Sequence, residues 1–236
     1  MKILISSLLI SCIAFASFGQ VDIDPALVDQ GNFAPNLQEI SIDKFEDAGF
    51  WRTLISIDDG VIQHRSLRGT PDAKDPLILE TALAPQSSAD DYVLGVRTDF
   101  FRRTYSTLSL VPARPIPIPG IASSLSIWVA GRNIPYELKI LLRDSIGQIS
   151  VLSFGKLQFL GWKKLETIIP PDIQDVRYTG LGRGLDSNTG LEVIGLQIES
   201  SLMETYGRYY VYFDDLRAVT DLTVLSRDPD DMIDNW

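Results

Sequence analysis

Groups that move protons, bind metals or stack on ligands are few in this chain. It has 236 residues, with one histidine and one cysteine. His64 sits in the run VIQHRS between Gln63 and Arg65, and its plain reading is a solvated strand or loop residue. A Ser-His-Asp or Cys-His site would have to rest on it alone, and a zinc site would lack ligands. Carboxylates are plentiful, at 31. Asp214 and Asp215 adjoin each other after an aromatic run, and a carboxylate pair is the machinery of glycoside hydrolysis. Adjacent strand residues point to opposite faces, so these two line one cleft only if a bulge intervenes. Otherwise one caps a turn and the other is solvated. The expectation is no catalytic residue, no cofactor and no metal. The alternative for metal is a structural Ca²⁺ on hard oxygen ligands, from Asp43, Glu46 or Asp47 with Asp215, if the two ends of the domain pair.

Other residues could bind without reacting. Trp51, Trp128 and Trp162 are possible sugar-stacking platforms, but Trp128 and Trp162 lie in strongly patterned strands, where core packing is the expected use. Tyr210 and Tyr212 share a strand face with Asp214 and make a candidate exposed aromatic strip, as suited to protein docking as to sugar. Arg114, Pro115 and Pro117 belong to the run PARPIPIPG (residues 112–120). Proline has no N–H and a fixed φ, so this run is a stiff crossover between sheets or an exposed docking edge. Residues 226–236, SRDPDDMIDNW, are acidic yet carry Met232, Ile233 and Trp236. They read as a solubilising tail or as a docking tail anchored by Trp236. Truncation after Leu225 is expected to leave a folded domain and weaken association.

The elements that must position these residues are strands. Residues 125–130 form a strand candidate, and Gly131-Arg132-Asn133 a turn, since Gly and Asn tolerate positive φ. In residues 136–143, Tyr136, Leu138, Ile140 and Leu142 alternate with Glu137, Lys139 and Arg143, the period-two pattern of a half-buried strand. Residues 149–154 return, and Gly161-Trp162 opens a strand that Pro170-Pro171 stops. Further strands are expected at 37–45, 77–83, 92–101, 194–199 and 207–219, with residues 65–75 as loop and 174–190 as the longest loop. Its glycines lack the strand-to-helix context of a nucleotide loop. Four strands within about 45 residues, with regular turns, predict an all-β antiparallel β-sandwich, a jelly roll like galactose-binding and carbohydrate-binding modules.

Charge narrows the partners. The formal net charge is −10, which disfavours nucleic acid and anionic membrane surfaces, both of which need clustered positive charge. Residues 1–19 read as a signal peptide cleaved after Gly19; Cys12 offers a lipoprotein alternative with a shorter apolar core. Residues 20–36 read as an extended arm, 37–225 as one sandwich domain and 226–236 as the acidic tail. No membrane span is expected, since the leader is too short and too interrupted by serine to make one.

Several runs together resemble a known family. WVAGRNIPYELKILLRD, GKLQFLGWKKLETIIPP, YGRYYVYFDDLRAVTDL, DPDDMIDNW and RTDFFRRTYSTLSLVPARPIPIPG look like the spirochaete periplasmic flagellar filament outer-layer (sheath) protein, the FlaA family. The resemblance implies export to the periplasm and a coat around a filament core of flagellin-type subunits. It also implies contacts with other sheath proteins and with copies of itself, and an influence on filament shape, stiffness and motility. It implies no enzymatic activity and no cofactor. The alternative that the jelly-roll pattern and the aromatics leave open is a periplasmic carbohydrate-binding module.

Overall fold

The computed structural model describes residues 37–76, 90–144, 147–173 and 190–222. The leader and arm, the strand expected at 77–83, nearly all of the 174–190 loop, and the tail with Trp236 lie outside the described residues. Twelve strands follow in order: β1 (Leu37–Asp43), β2 (Trp51–Leu54), β3 (Gly60–Arg68), β4 (Tyr92–Phe100), β5 (Thr107–Pro112), β6 (Ile116–Pro117), β7 (Ile121–Arg132), β8 (Glu137–Arg143), β9 (Ile149–Lys156), β10 (Leu160–Ile168), β11 (Glu192–Glu199) and β12 (Gly207–Asp221). Sheet I has the order β10-β7-β12-β4-β3, with β1 also paired to β12. Sheet II has the order β2-β5-β11-β8-β9, with β6 paired to β11. All the pairings are antiparallel. The fold is an all-β antiparallel sandwich, as the spacing of strands and turns predicts.

The alternation in β8 does what its pattern requires. Leu138, Ile140 and Leu142 are fully buried, while Glu137, Lys139 and Arg143 keep part of their surface in water. They face Leu125, Ile127 and Val129 of β7, Leu94 and Val96 of β4, and Tyr209, Val211 and Phe213 of β12 in one continuous core. Residues 121–168 therefore supply strands to both sheets: β7 and β10 pair in sheet I, β8 and β9 in sheet II. The turn after β7 falls slightly later than expected, and Asn133 takes the positive φ, at 57°.

Three expectations need correction. Residues 65–68 are strand, because β3 pairs with β4 as far as Arg68↔Tyr92. Strands β2 and β5 were not legible, since each is short and carries a polar alternate face. β11 begins at Glu192, two residues before the expected 194, and a register shift between Val193 and Gly195 turns Val193 inward and leaves Ile194 half exposed. The proline run carries the chain from β5 in sheet II to β7 in sheet I, and on the way β6 pairs Ile116 with Val193 and Pro117 with Glu192.

The corner after β1 is held by one carboxylate. Phe45 sits in the left-handed region at φ 59°, a conformation costly for a residue with a Cβ. Asp43 Oδ1 accepts from Phe45 N–H at 2.7 Å and Oδ2 from Trp51 Nε1 at 3.0 Å. The two aromatic residues so aligned are fully buried and stack at 5.2 Å. The residue keeps some surface in water, but its carboxylate points inward, and burial pushes its pKa up to about 6. Between pH 4 and 6 the unfolded Asp43 is ionised and the folded one protonated, so folding takes up a proton and stability falls as pH rises. Asp43→Asn should flatten that slope in denaturant titrations across the window. Asp43→Ala should lose about 1–3 kcal/mol through the two orphaned donors. An unchanged slope in the Asn variant would remove this assignment.

Candidate interaction surface

The outer face of sheet I gathers most of the residues that could act. Cross-strand register places Arg65, Gly95, Tyr212, Ala130 and Trp162 in one row across five strands. A second row sets Gln63 beside Arg97 and Arg97 beside Tyr210. A third joins Asp214, Trp128 and Lys164. Gln63, Arg65, Leu67, Gly95, Arg97, Tyr210 and Tyr212 line an open groove of about 200 Å³. Tyr212 leans onto β4 because Gly95 has no side chain there. A Cβ at Gly95 would lie 2.6 Å from Leu67 Cδ1 and 3.2 Å from Tyr212 Cδ1. The guanidinium of Arg132 lies 5.3 Å from the Tyr212 ring centre and donates to its hydroxyl at 3.3 Å, a cation–π arrangement that fixes the ring.

Next to the groove, β12 carries a bulge. Asp215 has φ 50°, and the register with β7 shifts between Asp214 and Arg217. That bulge is the condition under which the two aspartates leave simple alternation, and both are buried. Each meets its own cation. Lys74 Nζ donates to Asp214 Oδ1 at 2.8 Å and also to Asp90. Arg217 Nε donates to Asp215 Oδ2 at 2.7 Å, and its NH2 reaches the carbonyls of Asp75 at 3.2 Å and Pro76 at 2.9 Å. Burial outweighs the pull of Lys74 and pushes Asp214 up to about 7. Burial lowers Lys74, but its bonds to Asp214 and Asp90 win and hold its pKa above the usual range. The two cations fasten the chain segment after β3 onto the sheet.

These contacts decide several expectations. Asp43, Glu46, Asp47 and Asp215 do not gather into one group, although β1 and β12 do pair. The Asp43 oxygens are taken by Phe45 and Trp51, the Glu46 carboxylate accepts from Tyr92 N–H, Asp47 accepts from Gly49 N–H, and Asp215 is bonded to Arg217. No group of three metal-ligating side chains exists among the described residues. The tryptophan assignments reverse. Trp51 is core, whereas Trp128 and Trp162 lie on the outer face of sheet I, apart from the core cluster. Trp128 is buried beside Asp75, whose carboxyl is held below the usual range chiefly by its bond to Lys164, with a smaller contribution from Trp128 Nε1, which itself lacks a hydrogen bond. His64 is half-buried and shares a 2.9 Å hydrogen bond with Thr53 Oγ1, linking an edge strand of each sheet. Tyr210 and Tyr212 are half exposed on the groove, while Arg114, Pro115 and Pro117 are exposed at the sheet crossover, away from it. The sequence reading missed Lys74, Asp90 and Arg97. Only Arg217 had a signal, two residues beyond Asp215 in the run FDDLR.

The family model described as "Flagellar filament outer layer protein Flaa" matches residues 23–229. A flagellar filament outer layer-like protein of Brachyspira hyodysenteriae is 32% identical over 83% of this chain and 85% of its own. The chain belongs to the flagellar filament outer layer protein family. The flagellar filament outer layer protein of Treponema pallidum is 30% identical over 45% of this chain and 31% of its own length. Among solved structures, a family 11 carbohydrate-binding module of Clostridium thermocellum with a mixed-linked tetrasaccharide aligns at TM-score 0.42 and 13% identity. That alignment covers 78% of this chain and 96% of the other. TmCBM61 with β-1,4-galactotriose aligns at 0.40 and 13%, covering 75% and 96%. Nothing about ligands transfers from similarity at that level.

If Lys74 neutralises Asp214, Lys74→Met leaves a buried carboxylate without its cation, and such a loss costs about 3–5 kcal/mol. Urea unfolding at neutral pH should show it, and the deficit should shrink as pH falls and Asp214 takes a proton. Adding Asp214→Asn should restore much of the loss. A Lys74→Met chain as stable as the parent would show the pair to be ornamental.

Proposed function

We propose that this chain is a non-enzymatic structural subunit of the sheath around the periplasmic flagellar filament. In this role it binds the flagellin-type core and neighbouring sheath subunits, including copies of itself, and affects filament shape, stiffness and motility. The observation that carries the reading is the family match across residues 23–229. The site chemistry is consistent with it. His64 is tied to Thr53, and Asp214 and Asp215 are spent on Lys74 and Arg217, so the residues that suggested catalysis serve the fold. The outer face of sheet I, with its tyrosine-lined groove, is the surface that suits a filament contact. Export to the periplasm through cleavage of residues 1–19 belongs to the same reading. No helix of the described residues is long and apolar enough to cross a membrane.

The protein should sediment with isolated periplasmic filaments, and deleting its gene should leave filaments thinner or differently curved. The double variant Tyr210→Ala with Tyr212→Ala should bind filaments about tenfold more weakly. Wild-type protein that stays in the supernatant, with filaments and motility unaltered by the deletion, would defeat the proposal.

The groove itself favours a second reading, glycan binding, because two tyrosine rings stand beside the hydrogen-bonding side chains of Gln63, Arg65 and Arg97. Calorimetric binding of an oligosaccharide that disappears in Tyr212→Ala would support it. Silence across a broad sugar panel would end it.

A further inference from the structure

Six exposed apolar residues of this sandwich come together at one end. Phe101 directly follows β4 and Tyr206 directly precedes β12, and Phe100 and Gly207 are register partners, so the two side chains flank one pair at the rim. The β2–β3 turn adds Ile57, since Phe101 N–H donates to Asp59 O. The β4–β5 and β11–β12 loops are bound together: Ser200 N–H donates to Ser106 O and Ser106 N–H to Ser200 Oγ, both at 2.9 Å. They bring up Tyr105, Leu202 and Met203. Relative exposures are 87% for Ile57, 63% for Phe101, 75% for Tyr105, 75% for Met203 and 73% for Tyr206. Monomers rarely leave such a contiguous patch in water. Its charges are mixed, with exposed Asp58 and Glu204 beside Arg102 and Arg103. Arg103 stacks 5.5 Å over the Tyr206 ring, and Arg102 beside it is bonded to Asp59.

One segment of the chain carries apolar side chains that could cover it and carboxylates that could meet Arg103. Residues 226–236 hold four aspartates against one arginine, and among them Met232, Ile233 and Trp236. This segment leaves the sandwich at the opposite end, because β12 starts at the aromatic rim and finishes at Asp221 beside Ile121. At about 3.3 Å per residue the fifteen residues of β12 run ~50 Å. Met232 lies ten residues past Leu222, a reach of at most about 36 Å. A chain therefore cannot lay its own Met232 and Ile233 on its own rim, and Trp236, fourteen residues past Leu222, spans about 50 Å only at full extension, whereas a second copy stacked end to end presents all three without that constraint.

Resting on the coat reading and naming its subunit contact, we propose that residues 226–236 of one copy dock on the aromatic rim of the next, formed by Ile57, Phe101, Arg103, Tyr105, Met203 and Tyr206. Trp236 and Ile233 fill the apolar surface, and the aspartates face Arg103. The contact joins unlike surfaces, so it repeats along an axis rather than closing into a dimer.

Three chains test this by sedimentation velocity over rising concentration: wild type, a truncation after Leu225, and Phe101→Ser with Tyr206→Ser. Circular dichroism and thermal unfolding check that each is folded. Wild type should form a concentration-dependent series beyond the dimer, and each variant alone should stay monomeric. An equimolar mixture of the two variants, with one intact tail and one intact rim, should stop at the dimer. Arg103→Glu should weaken association about tenfold, and added salt should weaken the wild-type contact. Either variant associating like wild type, a wild type that stays monomeric, or a mixture that gives no dimer overturns the proposal. Filament co-sedimentation keeps it separable from the coat reading. Wild type that oligomerises as described yet ignores filaments defeats the coat alone. Variants that bind filaments and self-associate like wild type defeat this contact alone.

Discussion

β12 runs the length of sheet I and changes its inward face once, at Asp215 with φ 50°. Before that point Tyr209, Val211 and Phe213 face the core; after it Leu216, Ala218 and Thr220 do. The same point is where one neighbour replaces another. Residues Gly207 to Phe213 pair with β4, and Leu216 to Asp221 with β1, while β7 continues along the other side. A strained residue costs about 1–3 kcal/mol. Unbroken alternation from Phe213 would send Asp215 and Arg217 into the core and Leu216 and Ala218 out to water. A one-residue slip inverts every later side chain, and burial of Leu216 alone is worth about 1.5–3 kcal/mol. The bulge is the cheaper arrangement.

The bulge then dictates the electrostatics. Two adjacent carboxylates end up buried in one neighbourhood, and buried charges persist only when paired. Lys74 and Arg217 supply the pairing, and in doing so hold residues 74–76 against the outer face of the sheet. Lys164 extends the arrangement, 2.9 Å from Asp75. A carboxylate pair beside an aromatic groove resembles a glycosidase centre only until its partners are counted. Asp214 meets Lys74 through Oδ1 and the Thr70 hydroxyl through Oδ2, and Asp215 meets Arg217 through Oδ2, so both carboxylates are bound into the fold.

How far the sequence disclosed this depends on the range of the interaction. Alternation in residues 136–143 and 207–213 is local, and it specified both strands and their inward faces correctly. Asn133 was legible as a turn residue for the same reason. The bulge was foreseen only as a condition, because nothing between Phe213 and Leu216 announces which of two alternations will win. That choice is made by β1 and β4, more than a hundred residues away. Trp128 and Trp162 were misplaced for a related reason. In sheet I a strand interior need not be core, since the segment after β3 folds over the outer face and buries Trp128 there. Trp51 is a possible stacking platform by sequence, yet Asp43 and Phe45 draw it into the centre. The rim at Phe101 and Tyr206 had no periodic signal at all, being assembled from loops distant in sequence.

The placement of these surfaces bears on what the sandwich is suited to do. The tyrosine groove looks out from the face of sheet I, roughly at right angles to β12, whereas the aromatic rim and the exit of residues 223–236 sit at its two ends. A subunit that touches a core with a face and its neighbours with its ends keeps the two contacts independent, because neither surface shares a residue with the other. The connection between them is mechanical. β12 carries Tyr210 and Tyr212 in its first half, the bulge at its middle and the start of the outgoing segment at its far end, so a pull along the strand axis acts on groove and exit together. In a proposed coat whose role includes setting filament stiffness, one long strand clamped at its centre by Lys74 and Arg217 is the part of the subunit that would bear such a load.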